Sequence, residues 1–317
     1  METKVEIAIL IPCYNEAISI GSVVTAFGKE LPEAKIYVYD NNSRDDTASQ
    51  ALAAGAIVRT EKMQGKGNVV CRMFADIEAD IYILVDGDGT YDASQARQMV
   101  NTMLSGPYDM INGKRVETGA ENYRAGHRLG NAVLTGMVRH IFSRGFTDML
   151  SGYKVFSRRY VKSFPALSSG FEIETQLTVH ALDMKMAVAE IDTAYGSRPI
   201  GSTSKLNTWR DGMRILITIL RLMKNERPFE FFCVIGVVLG LIAAVMFWPI
   251  FVAYTQTGLV LRVPTLIVIT GMASCAVLSV FSGIILDAVT LAKHEKRRLH
   301  YLSIPALQTC SGDSLMH

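Results

Sequence analysis

The amino-acid sequence predicts an α/β protein, a mostly parallel sheet with helices on both faces, followed by a C-terminal anchor of two transmembrane helices. Three observations carry this expectation. Across the N-terminal two thirds of the chain, short apolar strands alternate with amphipathic helical segments, the pattern of a parallel sheet covered on both sides. The apolar run Ile81-Tyr82-Ile83-Leu84-Val85 delivers Asp86-Gly87-Asp88-Gly89 onto a turn, and open α/β sheets collect ligands at the carboxyl ends of their strands. Two uncharged runs, Phe231 to Tyr254 and Val263 to Leu286, each exceed the ~20 residues that a helix needs to cross a bilayer.

Taken in order, the expected strands are Val5 to Ile11, Lys35 to Tyr39, Ile81 to Val85 and Met110 to Asn112. Helices are expected at Ile18 to Lys29, Asp45 to Ala54, Lys66 to Asp76, Ala93 to Leu104, Arg128 to Ser143 and Glu172 to Met184. From Thr208 to Glu226, a rotation of about 100° per residue gathers Arg210, Arg214, Arg221 and Lys224 into one arc, with Ile215, Ile219, Leu222 and Met223 opposite. Directly before a span, this reads as a helix in the membrane interface, although a soluble helix packed on its own domain has the same pattern. The expected organisation is a soluble domain over 1–206, an amphipathic helix over 207–227, a transmembrane hairpin over 228–292 and a cytoplasmic tail over 293–317.

Composition agrees with a soluble domain attached to a membrane. The 317 residues are 49% hydrophobic yet 20% charged, and the mean hydropathy of +0.22 is high for an ordinary soluble protein. Cations cluster before the first span (Arg210, Arg214, Arg221, Lys224, Arg227) and after the second (Lys293, Lys296, Arg297, Arg298), against Arg262 in the connecting loop. Both ends are therefore expected on the cytoplasmic face. Ile7 to Ile11 is too short for a signal-peptide core. The five cysteines show no paired or metal-ligand spacing, as expected in a reducing compartment, and a net charge of +2 gives no ground for a nucleic-acid partner. His140 and His180 read as structural and His127 as a cap or surface residue.

Three strand ends carry polar groups to one edge of the sheet: Pro12-Cys13-Tyr14-Asn15-Glu16, then Asp40-Asn41-Asn42-Ser43 with Asp45-Asp46-Thr47, then Asp86 and Asp88. Tyr14 offers a stacking face, Glu16 and Asp40 accept from ribose hydroxyls or a base N–H, and Asp88 offers hard oxygen to Mg²⁺ or Mn²⁺ on a diphosphate. Singly, each is a turn or a helix cap. Together they describe a rim that recognises a nucleotide.

Pro12-x-Tyr14-Asn15-Glu16, Asp40-x-x-Ser43-x-Asp45-x-Thr47, Gly65-Lys66-Gly67 and Asp86-x-Asp88 resemble, in order and spacing, the motifs of the family 2 glycosyltransferases, which have the Rossmann-like GT-A fold. The likeness continues through Gly113-Lys114-Arg115, Arg128 with Asn131, Asp148-x-x-Ser151-Gly152-Tyr153-Lys154, and Arg198 leading to Ser204-Lys205. With the two spans, the chain resembles the polyprenyl-phosphate sugar synthases. The resemblance implies inverting transfer of one hexose-type sugar from a nucleotide-sugar to a polyprenyl phosphate at the cytoplasmic membrane face. It implies Asp86, Asp88, Arg115 and Arg128 as catalytic residues. The donor would be held by Pro12, Tyr14, Asn15, Glu16, Asp40, Asn41, Ser43, Lys66, Asp86, Arg198 and Lys205, and the acceptor phosphate by Arg115, Arg124, Arg128, Asn131 and Ser151. A Mg²⁺ or Mn²⁺ ion would sit on Asp88 and Asp86, with Thr90 standing where mannose synthases carry a glutamine ligand. The Asp-Gly-Asp-Gly-Thr-Tyr form favours a UDP-sugar, with GDP-mannose as the alternative donor. A homo-oligomer is compatible with this reading. A processive polysaccharide synthase would need a Gln-x-x-Arg-Trp motif, whereas Trp209-Arg210 has the reverse order. A non-catalytic sugar-nucleotide binding protein would not need Asp86, Asp88 and the downstream cations.

Overall fold

Ile9, Leu10 and Ile11 expose no surface, because the strand that carries them, β1 (Ile7–Cys13), lies inside the sheet and is buried on both faces. The computed structural model describes residues 5–117, 146–165, 173–196, 223–260 and 262–306, with Gly136, Ile217, Leu220 and Arg221. The remaining strands are β2 (Lys35–Asp40), β3 (Ile57–Thr60), β4 (Ile81–Leu84), β5 (Met110–Glu117), β6 (Lys154–Ser157) and β7 (Val188–Tyr195). They form a seven-stranded sheet in the order β3-β2-β1-β4-β6-β5-β7. β6 runs antiparallel to β4 and β5, and the other pairings are parallel. The helices of this part are α1 (Ile20–Glu30), α2 (Thr47–Ala53), α3 (Lys66–Asp76), α4 (Ala96–Ser105), α5 (Arg158–Ser163) and α6 (Ile173–Asp183). The mostly parallel α/β architecture is thus the expected one.

Three strands were not anticipated, each for a physical reason. β3 is a four-residue edge strand with three exposed positions, so it has no apolar run. β6 carries Lys154 with no exposed surface, its ammonium donating to Asn112 Oδ1 at 2.5 Å and to Thr178 Oγ1 at 3.4 Å. A charged residue in a central strand masks the pattern unless its partners are known. In β7, Glu190 and Asp192 interrupt the apolar positions. The expected helix over Arg128 to Ser143 lies outside the described residues, apart from helical Gly136.

Aromatic side chains close the core behind β4 and β6. Phe74 meets Phe156 edge-on at 5.8 Å between centroids, Phe156 stacks on Tyr160 at 4.5 Å, and Tyr160 meets His180 edge-on at 5.3 Å. His180 is a core residue, as expected. Burial, with a smaller contribution from the charge of Arg297, pushes its imidazole down to about 3.

The chain divides into two compact units, residues 1–212 with 297–317, and residues 213–296. The second contains α7 (Pro228–Thr257) and most of α8 (Val263–Ser303), both long and apolar enough to cross a membrane by length and composition, with mean hydropathies of 2.7 and 2.1 over an 18-residue stretch of each. Gly236 of α7 is required by close approach: a Cβ there would lie 2.9 Å from the Ala276 carbonyl oxygen of α8.

α8 continues past the expected end of its span at Leu286, and its last turns belong to the first unit. Tyr301, 6% exposed, donates to Asp109 Oδ2 at 2.8 Å, and Arg159 stacks on its ring at 4.8 Å. Asp109 is fully buried and also takes hydrogen bonds from Arg159 and Ser157. Arg298 donates to the Met184 carbonyl at 2.5 Å. The segment from Arg297, expected as tail, is therefore partly an element of the α/β unit.

Tyr301→Ala should cost the α/β unit about 3 kcal/mol, the usual loss for a buried aromatic with a charged hydrogen-bond partner, read as a shift in urea midpoint. The acid limb should report His180. The unfolded imidazole takes its proton near 6.5 and the folded one only at about 3, so stability complete above 6.5 is withdrawn as pH falls through that window. His180→Leu should flatten this decline between neutral pH and pH ~4.5; an unchanged slope would remove His180 from the account.

Candidate active site

Strand register brings the site together. Cys13 pairs with Asp40, and Leu10 with Leu84, so the chain segments leaving β1, β2 and β4 emerge side by side at the carboxyl edge. There a cavity of about 390 Å³ is lined by Pro12, Cys13, Tyr14 and Glu16 after β1, Asn41 after β2, Gln64, Gly65, Lys66 and Val69 around the start of α3, and Asp86, Gly87 and Asp88 after β4. Tyr91, Arg115, Glu174 and Tyr195 complete it. Of the residues expected to hold a donor, metal or acceptor, the cavity thus gathers Pro12, Tyr14, Glu16, Asn41, Lys66, Asp86, Asp88 and Arg115.

Other expected residues shape the walls. Asn15 takes a positive φ of 54°; its N–H donates to Ser43 Oγ at 2.9 Å and its Oδ1 accepts from the Arg44 N–H at 2.8 Å, joining the first two loops. Asn41 organises the third, donating to the carbonyls of Glu61 and Met63 at 2.8 Å and accepting from the Gly65 N–H at 2.7 Å. Asp40 is 8% exposed; its Oδ2 accepts from the Ser43 N–H at 3.2 Å, while Oδ1 is buried without a hydrogen-bond partner. A buried carboxylate oxygen left unmatched is costly.

The turn after β4 separates the two aspartates. Asp88, 5% exposed, accepts at Oδ1 from the Thr90 N–H at 3.1 Å and the Thr90 hydroxyl at 2.6 Å. Asp86 instead accepts from Lys66, whose ammonium lies 2.5 Å from Asp86 Oδ1 and 2.5 Å from Glu174 Oε1. Burial alone would push the Lys66 ammonium down, but the two carboxylates outweigh it and hold the group well above the ordinary lysine value. Behind Asp86 there is no room for a side chain: a Cβ on Gly152 would lie 2.3 Å from Asp86 Oδ2. The Gly152 N–H donates to the Tyr91 hydroxyl at 2.7 Å.

At the far wall Arg115 makes a two-pronged ion pair with Asp148, both contacts at 2.7 Å, and stacks on Tyr195 at 5.5 Å. Burial raises the Asp148 carboxyl, but hydrogen bonding and charge from Arg115 more than offset it and leave it below the usual carboxylate value. Ser151 is fully buried and donates to the Gly113 carbonyl at 2.5 Å. Its hydroxyl is engaged beneath the wall and does not line the cavity. Arg124, Arg128, Asn131, Arg198 and Lys205 lie outside the described residues.

The cavity residues not anticipated are Glu174, Tyr195, Gln64, Val69 and Tyr91. Tyr91 follows the acidic turn closely enough to have been found from it. Glu174 stands at the start of a helix more than eighty residues downstream, with no local pattern to mark it.

Residues 8–164 match the family described as Glycosyl transferase family 2. Glycosyltransferase AglJ of Haloferax volcanii is 34% identical over 240 residues, 74% of this chain and 78% of that protein. A dolichyl-phosphate hexose transferase of the same organism is 22% identical over 222 residues, 70% of this chain and 96% of that one. Among solved structures, glucosyl-3-phosphoglycerate synthase of Mycobacterium tuberculosis, in complex with Mn²⁺, UDP-glucose and glycerol 3-phosphate, aligns with a TM-score of 0.56 at 22% identity, over 69% of this chain and 79% of that one. The chain belongs to glycosyltransferase family 2, and its fold is GT-A. It is a glycosyltransferase.

Gly152→Ala should displace Asp86 and lower glycosyl transfer about a hundredfold, the scale of an ångström-level misplacement in a site. The thermal midpoint should move by only a few degrees. Unaltered turnover would show that the position of Asp86 is not critical.

Proposed function

We propose that the protein transfers a single hexose, with inversion, from a nucleotide-sugar to a polyprenyl phosphate at the cytoplasmic face of a membrane, with a UDP-sugar as the preferred donor. The observation that carries this is a strand-end cavity combining a nucleotide rim, hard-oxygen ligands and an arginine, in a chain with two helices apolar enough to span a bilayer. The similarity to a protein named for dolichyl-phosphate hexose transfer supports the lipid acceptor, and a neighbour of the same fold with UDP-glucose supports the donor.

The base and ribose would lie against Tyr14, Glu16 and the loop organised by Asn41, with Asp40 Oδ1 as an acceptor awaiting a donor. Asn15 and Ser43 hold this rim in shape, and Pro12 ends the strand beneath it. The donor set fits a divalent ion: Asp88 and Thr90 bring a carboxylate and a hydroxyl together, hard-oxygen donors that would hold Mg²⁺ or Mn²⁺. Such an ion would offset the charge developing on the leaving diphosphate. Asp86 has one oxygen committed to Lys66, so Asp88 is the principal ligand in this reading.

The nucleophile is a phosphate oxygen, anionic near neutral pH, so a strong base is unnecessary. The greater difficulty is bringing one anion to another. Arg115, held in the wall by Asp148, faces that task with Arg124, Arg128 and Asn131, while Ser151 supports the wall through Gly113. Arg198 and Lys205 would close on the diphosphate. The cations flanking the two apolar helices support a cytoplasmic side for this chemistry.

The test is a transfer assay on detergent-purified protein with Mg²⁺ or Mn²⁺, a short polyprenyl phosphate and a panel of UDP- and GDP-sugars. A glycolipid is expected from a UDP-hexose. Asp88→Asn should lower the rate at least about a hundredfold and abolish the response to added metal. Donor hydrolysis without glycolipid, or full activity of Asp88→Asn with chelator present, would sink the acceptor or the metal assignment respectively.

A further inference from the structure

Strand register lines up one polar row inside the sheet. Lys154 of β6 pairs with Asn112 of β5, and Asn112 pairs with Glu190 of β7, so the three side chains share a face beside the buried Leu84 of β4. Lys154 and Asn112 expose no surface. Burial pushes the Lys154 ammonium down to about 8, although Asp148 and Glu174 lie near, so holding it protonated at neutral pH works against the fold. An apolar side chain would fill the same strand position without that cost. Packing alone gives no reason for a charge here.

Its effect can be followed bond by bond. Lys154 donates to Asn112 Oδ1 at 2.5 Å, which leaves the amide one orientation: Nδ2 donates to the Asp148 carbonyl at 2.8 Å and to Glu190 Oε1 at 2.9 Å. An ammonium donates and never accepts, so the turned-over amide would set N–H against N–H on one side and oxygen against oxygen on the other. Glu190 then accepts at Oε2 from the Thr147 N–H at 2.9 Å and the Thr147 hydroxyl at 2.8 Å, and at Oε1 from the Asp148 N–H at 3.4 Å. The backbone of Asp148 is thereby held at both its N–H and its carbonyl. Its carboxylate in turn grips Arg115 at Nε and Nη2, both at 2.7 Å.

We infer that Lys154 is a positioning residue: through Asn112 and Glu190 it sets the Asp148 backbone, and through Asp148 it aims the Arg115 guanidinium at the acceptor phosphate. The inference rests on the reading of Arg115 as an acceptor contact. Lys154 itself is fully buried and does not line the cavity. Its influence should therefore show in the use of acceptor, and leave unchanged the donor end built on the loops after β1 and β2.

Steady-state transfer by the full chain in detergent is the test, with Mn²⁺, the best donor of the UDP and GDP panel, and a short polyprenyl phosphate as the titrated acceptor. Lys154→Met, which keeps the length of the side chain and removes its hydrogen bonds, should raise the acceptor KM about tenfold, short of the hundredfold loss that a full ångström of misplacement brings. The donor KM should stay within about twofold and the thermal midpoint within a few degrees. Arg115→Lys keeps a charge but loses the two-pronged grip of Asp148, and in that background Lys154→Met should add no more than about twofold to the acceptor KM. Glu190→Gln, at a half-buried position, weakens the same clamp and gives the same reading should Lys154→Met not fold: a rise in the acceptor KM that the Arg115→Lys background abolishes. An unchanged acceptor KM in both variants, an equal rise for donor and acceptor, or a loss that persists in full on Arg115→Lys would each overturn the inference. Absence of glycolipid from the wild type with every donor would instead remove the acceptor reading, and this inference with it.

Discussion

The parallel register of β1 with β2 and β4 is the constraint from which the site follows. Pairing of Cys13 with Asp40 and of Leu10 with Leu84 is set by backbone hydrogen bonds in strands with almost no exposed surface. In a strand, slipping the register by one residue turns every side chain to the other face. Such a slip here would carry Ile9 and Ile11 out of the packing of α1 and separate the three loops that form the rim. Core packing and site geometry are therefore one restraint, and the loops need few contacts of their own. Those they have, such as Asn15 with Ser43, lock neighbouring strand ends to each other.

Charge is handled by pairing rather than by exposure. Lys66, Arg115, Lys154 and Asp109 are all withdrawn from water, and each meets at least one fixed partner. Lys154 shows how close the balance is: burial pushes its ammonium down to about 8 despite Asp148 and Glu174 nearby. Two of these clusters, at Lys66 and Arg115, line the same cavity as Asp88. The third, at Asp109, ties the last turns of α8 to the α/β unit.

Legibility in the sequence followed locality. β1, β2, β4 and α3 could be read because their apolar periodicity is intact, and the Asp86 and Asp88 turn because it follows directly on such a run. β6 was hidden by Lys154, whose burial is tolerable only with Asn112 and Thr178 at hand, partners brought by other elements. β1 runs on to Cys13 because its pairing with β2 continues to Asp40, a long-range effect invisible in the local pattern. The rim residues were found from their motifs, yet several of them serve the loop rather than the cavity. Ser151, expected at the acceptor phosphate for its place in a motif, is likewise buried on the Gly113 carbonyl and does not line the cavity. Glu174 was missed because its meaning depends on Lys66, 108 residues away in the chain.

The proposed reaction joins two anions, and the arrangement of charge along the cavity bears on how this would be managed. A uniformly basic cavity would hold both phosphates tightly in the ground state and gain nothing in the transition state. Here the described wall alternates: acidic Asp88 with hydroxyl support at the centre, a basic Arg115 held by Asp148 beyond it, and the acidic trio around Lys66 between the helix and strand ends. A divalent ion carried in on the donor would cancel the two charges of the diphosphate, so the donor would enter the acidic centre as a near-neutral group. On this reading Arg115, fixed by Asp148, is left to meet the acceptor phosphate, without any movement of the sheet.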